Sequence, residues 1–143
     1  MEIFRLPENE SFIAGTEKEG WFTIGETIKS QNYAVLFCNC GTACIEIDFN
    51  KHYINKDTQV IITAGTHIQV IEASGDFCCS YIIFTQNIYH EATTRLEPSF
   101  TYFLKEYPCV KLPQKGIKKI TIVMQMIEEF YQDKNNCFRT EIF

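Results

Sequence analysis

The chain has 143 residues, 45% of them hydrophobic and 22% charged, which bounds it to one ordinary domain with enough apolar side chains for a real core. The formal net charge is −5, from 18 acidic and 13 basic residues, so this stretch by itself does not read as a nucleic-acid grip, which needs clustered Lys and Arg. The basic group Lys115, Lys118 and Lys119 reads as one solvated helix face. The start, Met-Glu-Ile-Phe-Arg-Leu-Pro, has neither the basic lead nor the apolar run of a signal peptide, and no stretch reaches the ~20 apolar residues of a membrane span. A cytoplasmic protein is expected, and its seven cysteines are expected as reduced thiols that pack like small hydrophobes.

Short apolar runs punctuated by turn residues fill the first part of the chain, the pattern of antiparallel β-structure. Phe12 to Ala14 is brief, and Trp21 to Ile24 follows across Glu19-Gly20. Tyr33 to Cys40 is a strong strand closed by Gly41. Cys44 to Ile54 reads as one further strand, with Ile45, Ile47, Phe49 and Tyr53 on one face and Glu46, Asp48, Asn50 and His52 on the other. Gln59 to Thr63, Thr66 to Ala73 and Phe77 to Thr85 follow, separated by Ala64-Gly65 and Ser74-Gly75-Asp76. Seven such strands in succession fit a barrel that closes on itself and so hides its sheet edges.

The texture then changes. Pro98-Ser99 opens a helical run over Phe100 to Glu106, stopped by Pro108, and a loop through Pro113 and Gly116 leads to the clearest helix. There Ile117, Ile120, Met124, Ile127 and Tyr131 recur at spacings of three and four, making one apolar stripe that Val123, Met126 and Phe130 widen. A stripe that broad must cover the barrel, a partner helix, or both. Cys137 onward reads as the start of another helix, and the pattern is still running at Phe143, as expected for a piece of a longer protein. The division is therefore a β-barrel over 1–92 and a helical part over 93–143.

Two stretches, Leu36-Phe37-Cys38-Asn39-Cys40-Gly41-Thr42-Ala43-Cys44-Ile45-Glu46-Ile47-Asp48 and Ser74-Gly75-Asp76-Phe77 leading into Tyr81-Ile82-Ile83-Phe84, together with Phe103 to Leu112 around Pro108, resemble the N-terminal domains of AraC-type transcription regulators. The resemblance implies a cupin-like (double-stranded β-helix or jelly-roll) antiparallel barrel followed by two to three C-terminal α-helices. It implies a small-molecule effector in the barrel, homodimerisation through the helices, and DNA contact only through helix-turn-helix modules beyond this chain.

On that resemblance the candidate ligand residues are Cys40, Val70, Cys79 and Tyr81, with Cys38 in the same inward row and Trp21 as a ring able to stack on an effector. Plain core packing is the simpler reading for each. The dimerisation residues are Ile117, Ile120, Met124, Ile127 and Tyr131, and Asp at Ile120 or Ile127 is expected to give soluble monomers. No metal or other cofactor is expected: the three histidines, His52, His67 and His90, form no His-x-His pair of the kind a cupin metal site uses, and Cys38-x-Cys40 with Cys78-Cys79 reads better as buried thiols than as a zinc clasp. No Gly-x-Ser-x-Gly elbow or phosphate loop is present, so no enzyme is expected. The alternatives are a stand-alone cupin enzyme and a small-molecule or carbohydrate-binding cupin.

Overall fold

A computed structural model describes residues 6, 10–17, 24–94, 103 and 105–133. Among the described residues the elements run β1 (Phe12–Glu17), β2 (Thr27–Lys29), β3 (Tyr33–Cys40), β4 (Ala43–Ile47), β5 (Asn50–Ile54), β6 (Thr58–Ile62), β7 (His67–Ala73), β8 (Cys78–Phe84), α1 (Gln86–Thr93), β9 (Cys109–Lys111) and α2 (Gln114–Gln132). The strands pair antiparallel into two sheets, β1-β8-β3-β6-β9 and β2-β7-β4-β5. The expected mainly-β, antiparallel architecture is present, with helices after the main run of strands. In place of one continuous hydrogen-bonded circuit, two separate sheets face each other among the described residues.

Side-chain alternation explains the core. Ala34, Leu36 and Cys38 from β3, Val60 and Ile62 from β6, and Cys79, Tyr81 and Ile83 from β8 meet Ile45, Ile47, Ile54, Ile68 and Val70 of the other sheet. Gly15 lies opposite Tyr81, and a Cβ there would stand 2.8 Å from the Tyr81 hydroxyl, so glycine leaves room for that ring. The other face of the five-stranded sheet is apolar as well. Phe12, Ala14, Phe37 and Ile82 carry Ile88 of α1 and Met124 and Ile127 of α2, which adds a helical third layer. Tyr33 stacks on Tyr89 of α1 with ring centroids 3.9 Å apart, and burial, then the neighbouring Tyr89, raises the Tyr33 phenol above its ordinary range.

Three sequence expectations change. The single strand over Cys44 to Ile54 is a hairpin: Asp48 (φ 46°) and Phe49 (φ 71°) both take the left-handed conformation and reverse the chain. Phe49 and Tyr53, expected beside Ile45 and Ile47, stand in solvent instead, 77% and 79% exposed. The turn is tied down because the Asp48 carboxylate accepts from the His67 amide at 2.9 Å and the Asp48 amide donates to the His67 carbonyl at 2.8 Å. β2, with Ile28 its one apolar residue, and β9, inside the expected helical part, are strands beyond those expected. The helical run expected over Phe100 to Glu106 lies largely outside the described residues, as do Trp21 to Thr23 and everything from Lys134.

Candidate functional site

The five-stranded sheet and α2 do not meet along their whole length. Where they part, a cleft of about 250 Å³ opens between Thr16 of β1, Phe37 and Asn39 of β3, Ser80 of β8 and Thr121, Met124, Gln125 and Glu128 of α2. Phe37 and Met124 are buried and form an apolar floor, while hydroxyls, amides and one carboxylate supply the walls. The polar groups are ordered among themselves. Asn39 Nδ2 donates to Ser80 Oγ at 2.8 Å, Ser80 and Thr16 hydroxyls lie 3.1 Å apart, and Thr16 Oγ1 donates to Glu128 Oε2 at 3.4 Å. Because the one Thr16 proton goes to Glu128, Ser80 donates to Thr16, and the chain of donors runs from Asn39 to the carboxylate. Among the described residues Glu128 is the only charged side chain lining this cleft, so these walls disfavour anions and suit a neutral or cationic molecule rich in donors.

Asn39 stands on that wall because it lies two residues beyond Phe37 on the same face of β3, and a β-bulge follows at this point. Cys38 pairs with Cys79 and Cys40 with Cys78, so Asn39 is the extra residue. On a regular strand Cys38 and Cys40 share a face; here the bulge turns Cys40 to the outer face with Cys78 and leaves Cys38 inside with Cys79. The hydrogen bond from Cys79 holds the Cys38 thiol below its ordinary range, and the same bond together with burial pushes Cys79 far up.

The expected ligand residues are thus divided. Cys38, Val70, Cys79 and Tyr81 are 1%, 3%, 4% and 9% exposed and pack together in the inter-sheet core, with little of their surface beside any water-sized space. Cys40 is half-buried on the opposite face, and Trp21 lies outside the described residues. The helix stripe is also placed differently from the dimer expectation. Met124 and Ile127 are buried against the chain's own sheet, with Ile117, Ile120 and Tyr131 packed around them, and the Tyr131 ring meets Phe12 edge-on at 5.7 Å. The flank that stays open is Ile122, Val123, Met126 and Phe130, 63%, 44%, 46% and 39% exposed. The cleft residues carried no sequence signal, since three strands and a helix contribute them.

The histidines are scattered. His52 is half-buried at the end of the four-stranded sheet, and its burial lowers its imidazole from the ordinary 6.5. His67 lies 3.8 Å from Asp48 and His90 faces Gln86 on α1. Among the described residues no group of three His, Cys, Asp or Glu side chains is placed to hold a metal ion, and no helix is long and apolar enough to cross a membrane.

No protein-family model and no curated protein sequence matches the chain. Solved structures do. Apo ToxT K231A from Vibrio cholerae superposes on 93% of this chain with a TM-score of 0.57 at 9% identity, using 51% of the ToxT chain. ToxT from Vibrio cholerae O395 bound to (E)-4-(8-methylnaphthalen-1-yl)but-3-enoic acid matches over 93% of this chain and 53% of its own, with a TM-score of 0.46 and 9% identity. The Cnp3 cupin domain of Schizosaccharomyces pombe covers 66% of this chain and 71% of its own, at 0.40 and 15%. The chain spans about half the length of the ToxT chains it matches. What it shares with ToxT is the fold.

Proposed function

We propose that this chain is the ligand-sensing and dimerising part of an AraC-type transcription regulator in the cytoplasm of a bacterium, controlling DNA binding by helix-turn-helix modules of a longer protein. The observation that carries the reading is the fold shared with ToxT over 93% of the chain. That ToxT has been seen with a small aromatic acid supports an effector role for the fold, although the cleft here, with Glu128 on its wall, suits a different chemistry. On this reading the effector binds between β3, β8 and α2. By preferring one setting of α2 over another, it biases how two copies meet. The module binds and does not catalyse.

The dimer contact is assigned to the open flank of α2, Ile122, Val123, Met126 and Phe130, in place of the buried stripe. These side chains form a continuous apolar patch on one helix, and a twofold copy presenting the same patch covers it. Sedimentation velocity tests the assignment. The chain is expected to sediment as a dimer at micromolar concentration, and Met126→Asp as a folded monomer. A wild-type monomer, or a Met126→Asp dimer, overturns it. The coding frame beyond Phe143 is expected to show two helix-turn-helix patterns, and a stop codon there refutes the regulator reading.

A further inference from the structure

Four cysteines meet at one end of the β3–β8 pair. The bulge at Asn39 sets them as two cross-strand couples, Cys38 with Cys79 and Cys40 with Cys78. The inner couple is 1% and 4% exposed and sealed in the inter-sheet core. The outer couple is different. Cys78 is 5% exposed, but Cys40 is only half-buried, its thiol donates to the Asp76 carbonyl at 3.0 Å, and the two thiols are within hydrogen-bonding reach of each other. Residues opposite each other on antiparallel strands have Cα atoms about 4.5–5.5 Å apart, inside the ~4.4–6.8 Å that a disulfide spans. One solvent-reachable thiol backed by a shielded one at disulfide distance is the arrangement of an attacking and a resolving cysteine.

We infer that Cys40 and Cys78 form a site of reversible covalent modification, closing to a cross-strand disulfide by exchange with a small disulfide such as oxidised glutathione. In the first step the Cys40 sulfur, having lost its proton to solvent, attacks one sulfur of the reagent. A Cys40–reagent bond forms, the reagent's own S–S bond breaks, and one small thiol leaves with a proton from solvent. In the second step the Cys78 thiolate attacks Cys40 Sγ, the mixed bond breaks and a second small thiol leaves. Two protein thiols are oxidised and one small disulfide is reduced to two thiols, so electrons and protons balance. Desolvation and the adjacent Cys78 hold the Cys40 thiol above its ordinary range, so the first step is slow at neutral pH and quickens as the solution becomes alkaline. The resulting bond staples β3 to β8 beside Asn39 and Ser80, two walls of the cleft.

The test uses the whole chain incubated with oxidised glutathione, alkylated and digested, with fragment-ion mass spectrometry to assign linkages. The expected product is a Cys40–Cys78 bond, 2 Da lighter, reversed by dithiothreitol. Its rate of formation is expected to rise about tenfold per pH unit above neutrality. Cys40→Ser is expected to abolish the link, and Cys78→Ala to leave Cys40 as the glutathione adduct. The oxidised wild type is expected to melt about 5–10 °C higher than the reduced, because the bond closes a long loop in the unfolded chain. A wild type that carries only the adduct, or none, overturns the proposal, as does an intramolecular disulfide that leaves out Cys40 or a rate flat with pH. Should Cys78→Ala not fold, the wild-type and Cys40→Ser arms decide alone.

Discussion

The two faces of α2 make opposite predictions, and Ile127 against Met126 is the sharpest pair. Ile127 is 7% exposed in the cluster with Phe12, Ala14, Phe37 and Ile82, whereas Met126, the adjacent residue, is 46% exposed. Truncating Ile127 to Ala removes buried methylene and methyl groups and leaves a void between two elements that can relax only partly, so the expected loss is about 3 kcal/mol. For a chain of this size that lowers the melting temperature by roughly 6–12 °C. Met126→Ser removes surface already in water and is expected to stay within about 0.5 kcal/mol of wild type. The measurement is urea or thermal unfolding, diluted until wild type is monomeric, because a dimer that buries Met126 would add a concentration-dependent share of stability. Ile127→Asp places a carboxylate in the same apolar cluster and is expected to unfold the chain, not to yield the soluble monomers that the helix stripe alone suggests. Equal losses for Ile127→Ala and Met126→Ser under these conditions would show that α2 does not lie on the sheet with this face inward.

The remaining expectations concern turns and titration. Gly41 has φ +78°, and a Cβ on it would lie 2.5 Å from Phe77 Cα and 2.6 Å from Phe77 N, so Gly41→Ala is expected to cost more than about 2 kcal/mol in urea unfolding, well beyond Gly65→Ala, whose φ is also positive but whose surroundings are empty. Phe49→Gly relieves a bulky side chain held at φ 71° and forfeits only its stacking on His67, at 6.0 Å between centroids. It is expected to stabilise the hairpin by about 0.5–1 kcal/mol, and a loss of stability would mean that the Phe49 ring holds the turn. Burial depresses the His52 imidazole in the folded chain, so the unfolded chain binds its proton first as pH falls. Stability is therefore expected to decline as pH drops through about 6.5 and to level off below the depressed native value. His52→Gln removes that component from a pH series of unfolding midpoints, and an unchanged series refutes it.

What could be read from the sequence was whatever rests on local periodicity. β3, β6, β7 and β8 lie within a residue or so of their expected limits because each carries apolar residues in strand-like runs between turn residues. α2 was legible for the same reason, but its partner was not. A stripe of Ile117, Ile120, Met124, Ile127 and Tyr131 says that one face is covered and nothing about what covers it. The hydrophobic alternation through Asp48 and Phe49 continues across a reversal that neither Asn-Gly nor Asp-Gly marks, so one strand was read where two exist. The same kind of error displaced the site. With strict alternation, Cys38 and Cys40 line one interior. A single extra residue at Asn39 sends Cys40 outward to Cys78. A bulge has no composition of its own; it is a matter of how β3 and β8 pair across a long stretch of sequence. The chemistry this chain offers to other molecules, a directed row of donors ending on Glu128 and a half-open thiol beside it, is thus set by long-range register, while the elements that carry it are set by local pattern.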